Sequence, residues 1–326
     1  MPLLLTREDV QQVLQMDDCM NAVEKAFAEL AKGIAVLPLR INIKPTGGLA
    51  LYMPAYLPDM GALACKVVTV YKENPKKHKL PTTIGKVLLQ DPATGDVICI
   101  MDGGYLTAVR TGAASGVATR LLARTAKGQV AAIFGAGVQA RMQLWAVAEA
   151  RELKKAYVFD VEADASKKFA DEMGRKLELE VAVAESAAQM LERADIICTA
   201  TSSPTPIFDG NLVKEGTHIN GIGSHTPNAR ELDTAIIKRS KVIADSNEAC
   251  LKEAGDIMIP LNEGAIEESQ LYAELGEIVV KSKPGRADDR EITLFKSNGL
   301  AIQDVATAKL VYDKALAAKI GTDVKI

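Results

Sequence analysis

Apolar and polar positions alternate along this chain in two distinct grammars. Between Thr6 and Lys32 the spacing is helical. Thr6-Arg7-Glu8-Asp9 places a capping threonine and early acids where a helix N-terminus wants them. A second helix follows, with Met20, Val23, Phe27 and Leu30 on one face and Gly33 as a stop. From Leu37 to Ile100 the pattern shortens to strand-like runs: Leu49 to Met53, Leu63 to Val70, and Gly85 to Asp91. Asp91-Pro92-Ala93-Thr94-Gly95-Asp96 then turns into Val97-Ile98-Cys99-Ile100 as a hairpin. This half predicts a mainly antiparallel sheet with helices beside it.

After a helical segment from about Leu106 to Ala126, the order becomes strand, glycine loop, helix, strand, and repeats. Val130 to Phe134 is a continuous apolar run of the kind buried on both faces of a parallel sheet. Ala156 to Asp160, Glu180 to Val183, Ile196 to Ala200, His218 to Gly221 and Val242 to Asp245 follow, with helical stretches between most of them. A last helix runs from roughly Leu300 to Lys319. The fold class expected is α/β: a Rossmann dinucleotide-binding domain plus an α+β domain.

Composition narrows the function classes. A chain of 326 residues exceeds the usual size of one hydrophobic core, so two domains are expected. Lys and Arg total 39 against 42 Asp and Glu, scattered without long runs, which argues against nucleic acid and anionic membrane as partners. The N-terminus has no basic region ahead of an apolar stretch, and no segment is apolar for long enough to span a bilayer. Five widely spaced cysteines without a Cys-x-x-Cys pair, and three histidines, favour buried thiols in a cytoplasmic protein over disulfides or a metal site.

Gly135-Ala136-Gly137-Val138-Gln139-Ala140 gives G-x-G-x-x-A directly between an apolar strand and a helix. Gly135 permits the tight turn, Gly137 lets backbone approach a pyrophosphate, and Ala140 lets the helix pack close to the strand. Amides at the helix start then hold the phosphates. Asp160 ends the next strand, where its carboxylate can accept from ribose hydroxyls and repel a 2′-phosphate, favouring NAD over NADP. A bare turn with a helix-capping aspartate would need neither the flanking strand nor the spacing. Lys66 stands out separately, as a charge inside the otherwise apolar run Leu63 to Val70.

With these features the chain resembles the ornithine cyclodeaminase and mu-crystallin family, including its archaeal-type alanine dehydrogenases and ketimine reductases. The resemblance runs nearly end to end. It rests on Tyr52-Met53-Pro54-Ala55, on Lys66, on Leu106 to Ala113, on the Gly135 loop, on Gly221-Ile222-Gly223-Ser224-His225-Thr226-Pro227 before Arg230-Glu231-Leu232, and on Ser297 to Asp304. It implies that the last helix returns to the N-terminal domain. Residues 1–115 with 300–326 would then bind substrate and form a homodimer across their sheet, and residues 116–299 would bind NAD.

The resemblance also implies site residues. Arg40, Lys66 and Arg110 would surround a small amino or imino acid, with Arg110 and Arg40 gripping its carboxylate and Lys66 moving a proton; guanidinium groups suit the first task and a strand lysine the second. Thr111, Ala200, Thr201, Ser202, Gly221, Ile222, Gly223, Ser297 and Asn298 would contact the nicotinamide end. His225 orders its loop or contacts cofactor in preference to moving a proton, and Asp304 caps or orients the last helix. Cyclodeaminases carry an acid before the Met-Pro pair and an aspartate in the Gly-Gly-Asp loop, where this chain has Leu51 and Ser224. That departure favours an NAD(H)-dependent amino or imino acid oxidoreductase, of alanine dehydrogenase or cyclic ketimine reductase type. The alternatives are a cyclodeaminase and a non-catalytic mu-crystallin-like NAD(P)H binder.

Overall fold

A computed structural model describes residues 1–325. The chain divides into two compact units, residues 1–110 with 300–326 and residues 111–299. The first break falls inside the helix Gly103–Leu122 and not at 115/116, because that helix is uninterrupted and offers no linker for a boundary to follow.

In the first unit, Thr6 closes a capping box with Asp9 at the start of helix Arg7–Val13. The helix Met16–Ala31 buries Met20, Val23 and Phe27 on its inner face. Both helices pack against the helix Ala301–Ala318, which returns from the far end of the chain. That helix also lies on the strands Leu49–Leu57 and Ala62–Val70.

The sheet of this unit has seven strands, in the order Thr322–Asp323, Leu3–Leu5, Val97–Asp102, Thr83–Gln90, Ala62–Val70, Leu49–Leu57 and Ile41–Ile43. It is antiparallel except where Leu3–Leu5 runs parallel to Val97–Asp102. Both terminal strands are too short for periodicity to reveal them, so the sheet is mixed where the sequence suggests mainly antiparallel pairing. Lys66 lies opposite Met53 on one neighbour and Val87 on the other, all three buried, so it projects to the helix-covered face.

The second unit is built on an eight-stranded, wholly parallel sheet in the order Leu271–Glu274, Ser240–Ala244, Ile292–Lys296, His218–Gly221, Ile196–Thr199, Gln129–Phe134, Leu153–Phe159 and Val181–Val183. The strand Gln129–Phe134 is buried along its whole length, as its apolar run requires. The order reverses between it and Ile196–Thr199, the kind of crevice in which open α/β sheets bind ligands. Two strands, Leu271–Glu274 and Ile292–Lys296, are absent from the pattern reading. The second is inserted between His218–Gly221 and Ser240–Ala244, and its C-terminal lysine cuts the apolar signature short.

All five cysteines are free thiols, four of them buried. Among the described residues, no helix is long and apolar enough to cross a membrane.

Candidate functional site

In the first unit the site residues converge on one carboxylate. Lys66 Nζ lies 2.7 Å from Asp304 Oδ2, and Arg110 Nε donates to Asp304 Oδ1 at 2.8 Å. Asp304 is fully buried and Lys66 and Arg110 nearly so. A second bond, Arg110 Nη1 to Gln303 Oε1 at 2.6 Å, fixes the guanidinium plane. Burial pushes the Lys66 ammonium down to about 8; Asp304 opposes that fall, while the charges of Arg110 and Arg40 add to it. Arg40 is half-buried, and its charge reaches Lys66. The three cations named from sequence are thus electrostatically coupled.

Asp304 needs a correction. It does sit in the first turn of helix Ala301–Ala318, where the helix dipole favours an acid. Its carboxylate, however, is spent on Lys66 and Arg110. Nothing in local sequence pairs residues 194 positions apart, so sequence alone points only to the helix-capping role.

In the second unit the glycine loop connects strand Gln129–Phe134 to helix Val138–Ala150 as expected. Gly135 has φ +100°, and a Cβ there would press on the Ala200 carbonyl, so both the turn and the close strand-end contact require glycine. The helix starts at Gly137 with no side chain capping its amides. Asp160 Oδ2 accepts from Ala136 N–H at 2.7 Å and Oδ1 from Glu162 N–H at 3.0 Å, so the aspartate at the neighbouring strand end also shapes the loop. Arg141 braces the loop through the Ala136 and Gly137 carbonyls. A cavity of about 810 Å³ opens here, lined among others by Gly137, Val138, Gln139, Asp160, Thr201 and Ser202. Uncapped amides, a carboxylate and an apolar slot together fit a dinucleotide.

The residues assigned to the nicotinamide end stand on adjacent strand ends. Ala200, Thr201 and Ser202 follow Ile196–Thr199; Gly221 ends its own strand, with Ile222 and Gly223 beyond it; Ser297 and Asn298 follow Ile292–Lys296. Ser297 and Asn298 thus also stand at a strand end, where open α/β sheets gather ligands. Thr111 lies in helix Gly103–Leu122, and its carbonyl accepts from Gln143 Nε2. His225 is exposed, with Nδ1 2.9 Å from the Gly223 carbonyl, an arrangement that orders the loop.

Several buried charges around these loops have no role assigned from sequence. Glu231, Asp245, Asp256 and Lys296 are all fully buried in this unit. Glu231 and Asp245 are both held above the usual carboxylate range by burial, against the hydrogen bonds they accept. The one available signal, a charge at the end of an apolar strand run, marks Asp245 and Lys296 but not Glu231 or Asp256.

The ornithine cyclodeaminase/mu-crystallin family profile matches residues 1–319. The chain belongs to this family. A solved structure of the Thermococcus litoralis Δ1-pyrroline-2-carboxylate reductase, in complex with NADH and L-proline, is 50% identical with a TM-score of 0.94, covering 99% of this chain and 100% of that one. An archaeal alanine dehydrogenase dimer with bound NAD is 38% identical with a TM-score of 0.93, covering 100% and 99%. The alanine dehydrogenase of Archaeoglobus fulgidus is 39% identical over 324 residues, covering 99% of this chain and 98% of the relative.

Asp160→Ser removes the carboxylate expected from the sequence to meet the ribose, together with the anchor of Ala136 N–H. Fluorescence titration should show NADH affinity falling about tenfold while NADPH affinity falls less or rises, in keeping with the ~1–3 kcal/mol carried by one charged hydrogen bond. An equal loss for both would place the ribose contact elsewhere.

Proposed function

We propose that this chain is an NAD(H)-dependent reductase of small, apolar α-imino acids, working reversibly as an amino acid dehydrogenase. The observation that carries this reading is the buried Lys66–Asp304–Arg110 cluster, a proton source and a carboxylate receptor fixed on one anion. The Gly135 loop and Asp160 hold the cofactor, whose nicotinamide supplies or accepts a hydride at the α-carbon. Arg110, oriented through Nε and Nη1, meets the substrate carboxylate, and Arg40 adds a second positive charge.

In the reductive direction the C=N bond becomes C–N: hydride goes to the carbon and a proton goes to the nitrogen. Lys66 holds that proton as an ammonium and returns to a neutral amine when it is delivered. Asp304 opposes the desolvation that lowers the Lys66 pKa and so favours the ammonium. In the oxidative direction the neutral amine accepts the proton.

The substrate class follows from what is absent beside Lys66. Its neighbours on the same sheet face are Met53, Val68 and Val87, and Leu51 and Ser224 stand where cyclodeaminases place carboxylates. A substrate with a second ammonium finds no partner at these positions. The NADH- and proline-bound Thermococcus relative supports a five-membered cyclic imine as the preferred substrate. The archaeal relative solved as a dimer supports a homodimer, and the exposed Leu39, Ile41 and Ile43 along the edge of the first unit's sheet give a second copy an apolar surface to cover.

NADH oxidation should be seen with pyrroline-2-carboxylate, and more slowly with piperideine-2-carboxylate and with pyruvate plus ammonia. Ornithine with NAD should yield no proline. Formation of proline and ammonia from ornithine would overturn the reading of Leu51 and Ser224, and NADH binding without turnover on any imine would make the chain a binder.

The pH dependence has a definite sign. Lys66 is the acid in reduction and its pKa is lowered to about 8, so kcat/KM for imine reduction should be level below pH 7 and fall above pH 8. Proline oxidation should rise through the same window. Lys66→Met should abolish that inflection and lower kcat by ~10²–10⁴-fold, the usual worth of a positioned acid. An unchanged inflection in the variant would assign the titration to another group.

A further inference from the structure

Three strand-end loops that carry the nicotinamide-end residues are fastened from beneath by one chain of buried charges. Glu231 Oε2 accepts from Thr199 Oγ1 at 2.7 Å and from Gly223 N–H at 2.7 Å; Oε1 accepts from Thr201 N–H at 2.6 Å. A single carboxylate thereby ties the loop after Ile196–Thr199 to the loop after His218–Gly221. A Cβ at residue 223 would collide with that carboxylate, so Gly223 is glycine to let Glu231 in.

The carboxylate is itself placed by backbone. Glu231 N–H and Leu232 N–H both donate to Asp256 Oδ1, at 2.8 and 2.9 Å. Asp256 Oδ2 lies 3.1 Å from Lys296 Nζ. Lys296 reaches back to the same loop, donating to the Gly221 carbonyl at 3.1 Å and the Ser224 carbonyl at 2.7 Å. Just beyond Lys296, Asp245 Oδ2 accepts from Ser297 Oγ at 2.9 Å, Asn298 N–H at 2.8 Å and Gly299 N–H at 2.7 Å.

We propose that Glu231 is the positioning residue of the nicotinamide pocket: it sets the spacing of Thr201 and Gly223 so that the cofactor's reactive ring, and not its adenosine end, is held in register for hydride transfer. This rests on the functional reading above. Glu231 touches neither cofactor nor substrate in this role. It acts through the Thr201 and Gly223 amides; Asp256 aims it by accepting from the Glu231 and Leu232 amides, and Lys296 pairs with Asp256. The adenosine end depends on a different set, the Gly135 loop and Asp160, which Glu231 does not touch. Four buried charges cost several kcal/mol each to desolvate, and each is met here by backbone amides, carbonyls or an opposite charge on the loops.

The test compares ligands that share one end. In Glu231→Gln, an amide NH₂ replaces one acceptor opposite three donors, so at least one loop bond is lost while the shape remains. ADP-ribose, which lacks the nicotinamide, should bind within twofold of wild type by calorimetry, NADH should bind about tenfold more weakly, and kcat for imine reduction should fall with KM for the imine little changed. A larger primary isotope effect with NADH deuterated at the transferred position should accompany the fall. Thr199→Val, which removes one donor without disturbing the charge, should move the same quantities in the same direction by a smaller factor, and covers the case in which Glu231→Gln does not fold. Equal weakening of ADP-ribose and NADH, or Thr199→Val matching wild type in NADH affinity and isotope effect, would overturn the proposal. Failure of wild type to bind NADH at all would instead sink the functional reading beneath it.

Discussion

Two cations that repel each other, Lys66 and Arg110, are held in the interior of the first unit by the single carboxylate of Asp304. Removing such charges from water costs several kcal/mol apiece, and only close pairing offsets it. The arrangement therefore constrains everything around it. The strand Ala62–Val70 must present position 66 to the helix-covered face, and the helix Gly103–Leu122 must place Arg110 within reach. The chain must also return after residue 299 to lay the first turn of Ala301–Ala318 over both. An apolar triad of similar volume would pack at less cost, so what the charges contribute is chemistry: a lysine near neutrality and a guanidinium with a fixed plane.

The second unit solves a related problem with backbone as the load. Parallel strands end in loops whose amides and carbonyls lack sheet partners, and three of those loops carry the residues proposed to surround the nicotinamide ring. Buried acids take the amides and Lys296 takes the carbonyls, which makes the strand ends rigid without filling the crevice above them. The adenosine end needs less. On the proposed reading a glycine turn, an uncapped helix start and one aspartate suffice there, because a pyrophosphate and a ribose bring their own hydrogen-bonding groups.

Much of this was legible in the sequence, and unevenly so. The glycine loop was plain because strand, turn and helix are contiguous, and Lys66 was visible because a charge breaks a run of apolar residues. The helix at Met16–Ala31 and the hairpin at Asp91–Asp96 announced themselves by periodicity and turn chemistry. The strand Ile292–Lys296 did not, since its lysine reads as a solvent-facing residue until the fold supplies Asp256 and two carbonyls. Asp304 and Glu231 were quoted as parts of motifs, yet their partners lie across the fold and no local pattern points to them. The boundary at residue 115 missed for a related reason: a continuous helix hides a domain break that only packing defines.

The most direct measurement is made on Asp304→Asn, comparing NADH affinity with kcat/KM for pyrroline-2-carboxylate. Loss of the shared anion leaves Lys66 and Arg110 buried and unopposed, a disturbance of ~3–5 kcal/mol when one partner of a buried pair is removed. The account predicts NADH binding within twofold of wild type and kcat/KM reduced at least a hundredfold. A variant that reduces the imine at the wild-type rate would contradict it.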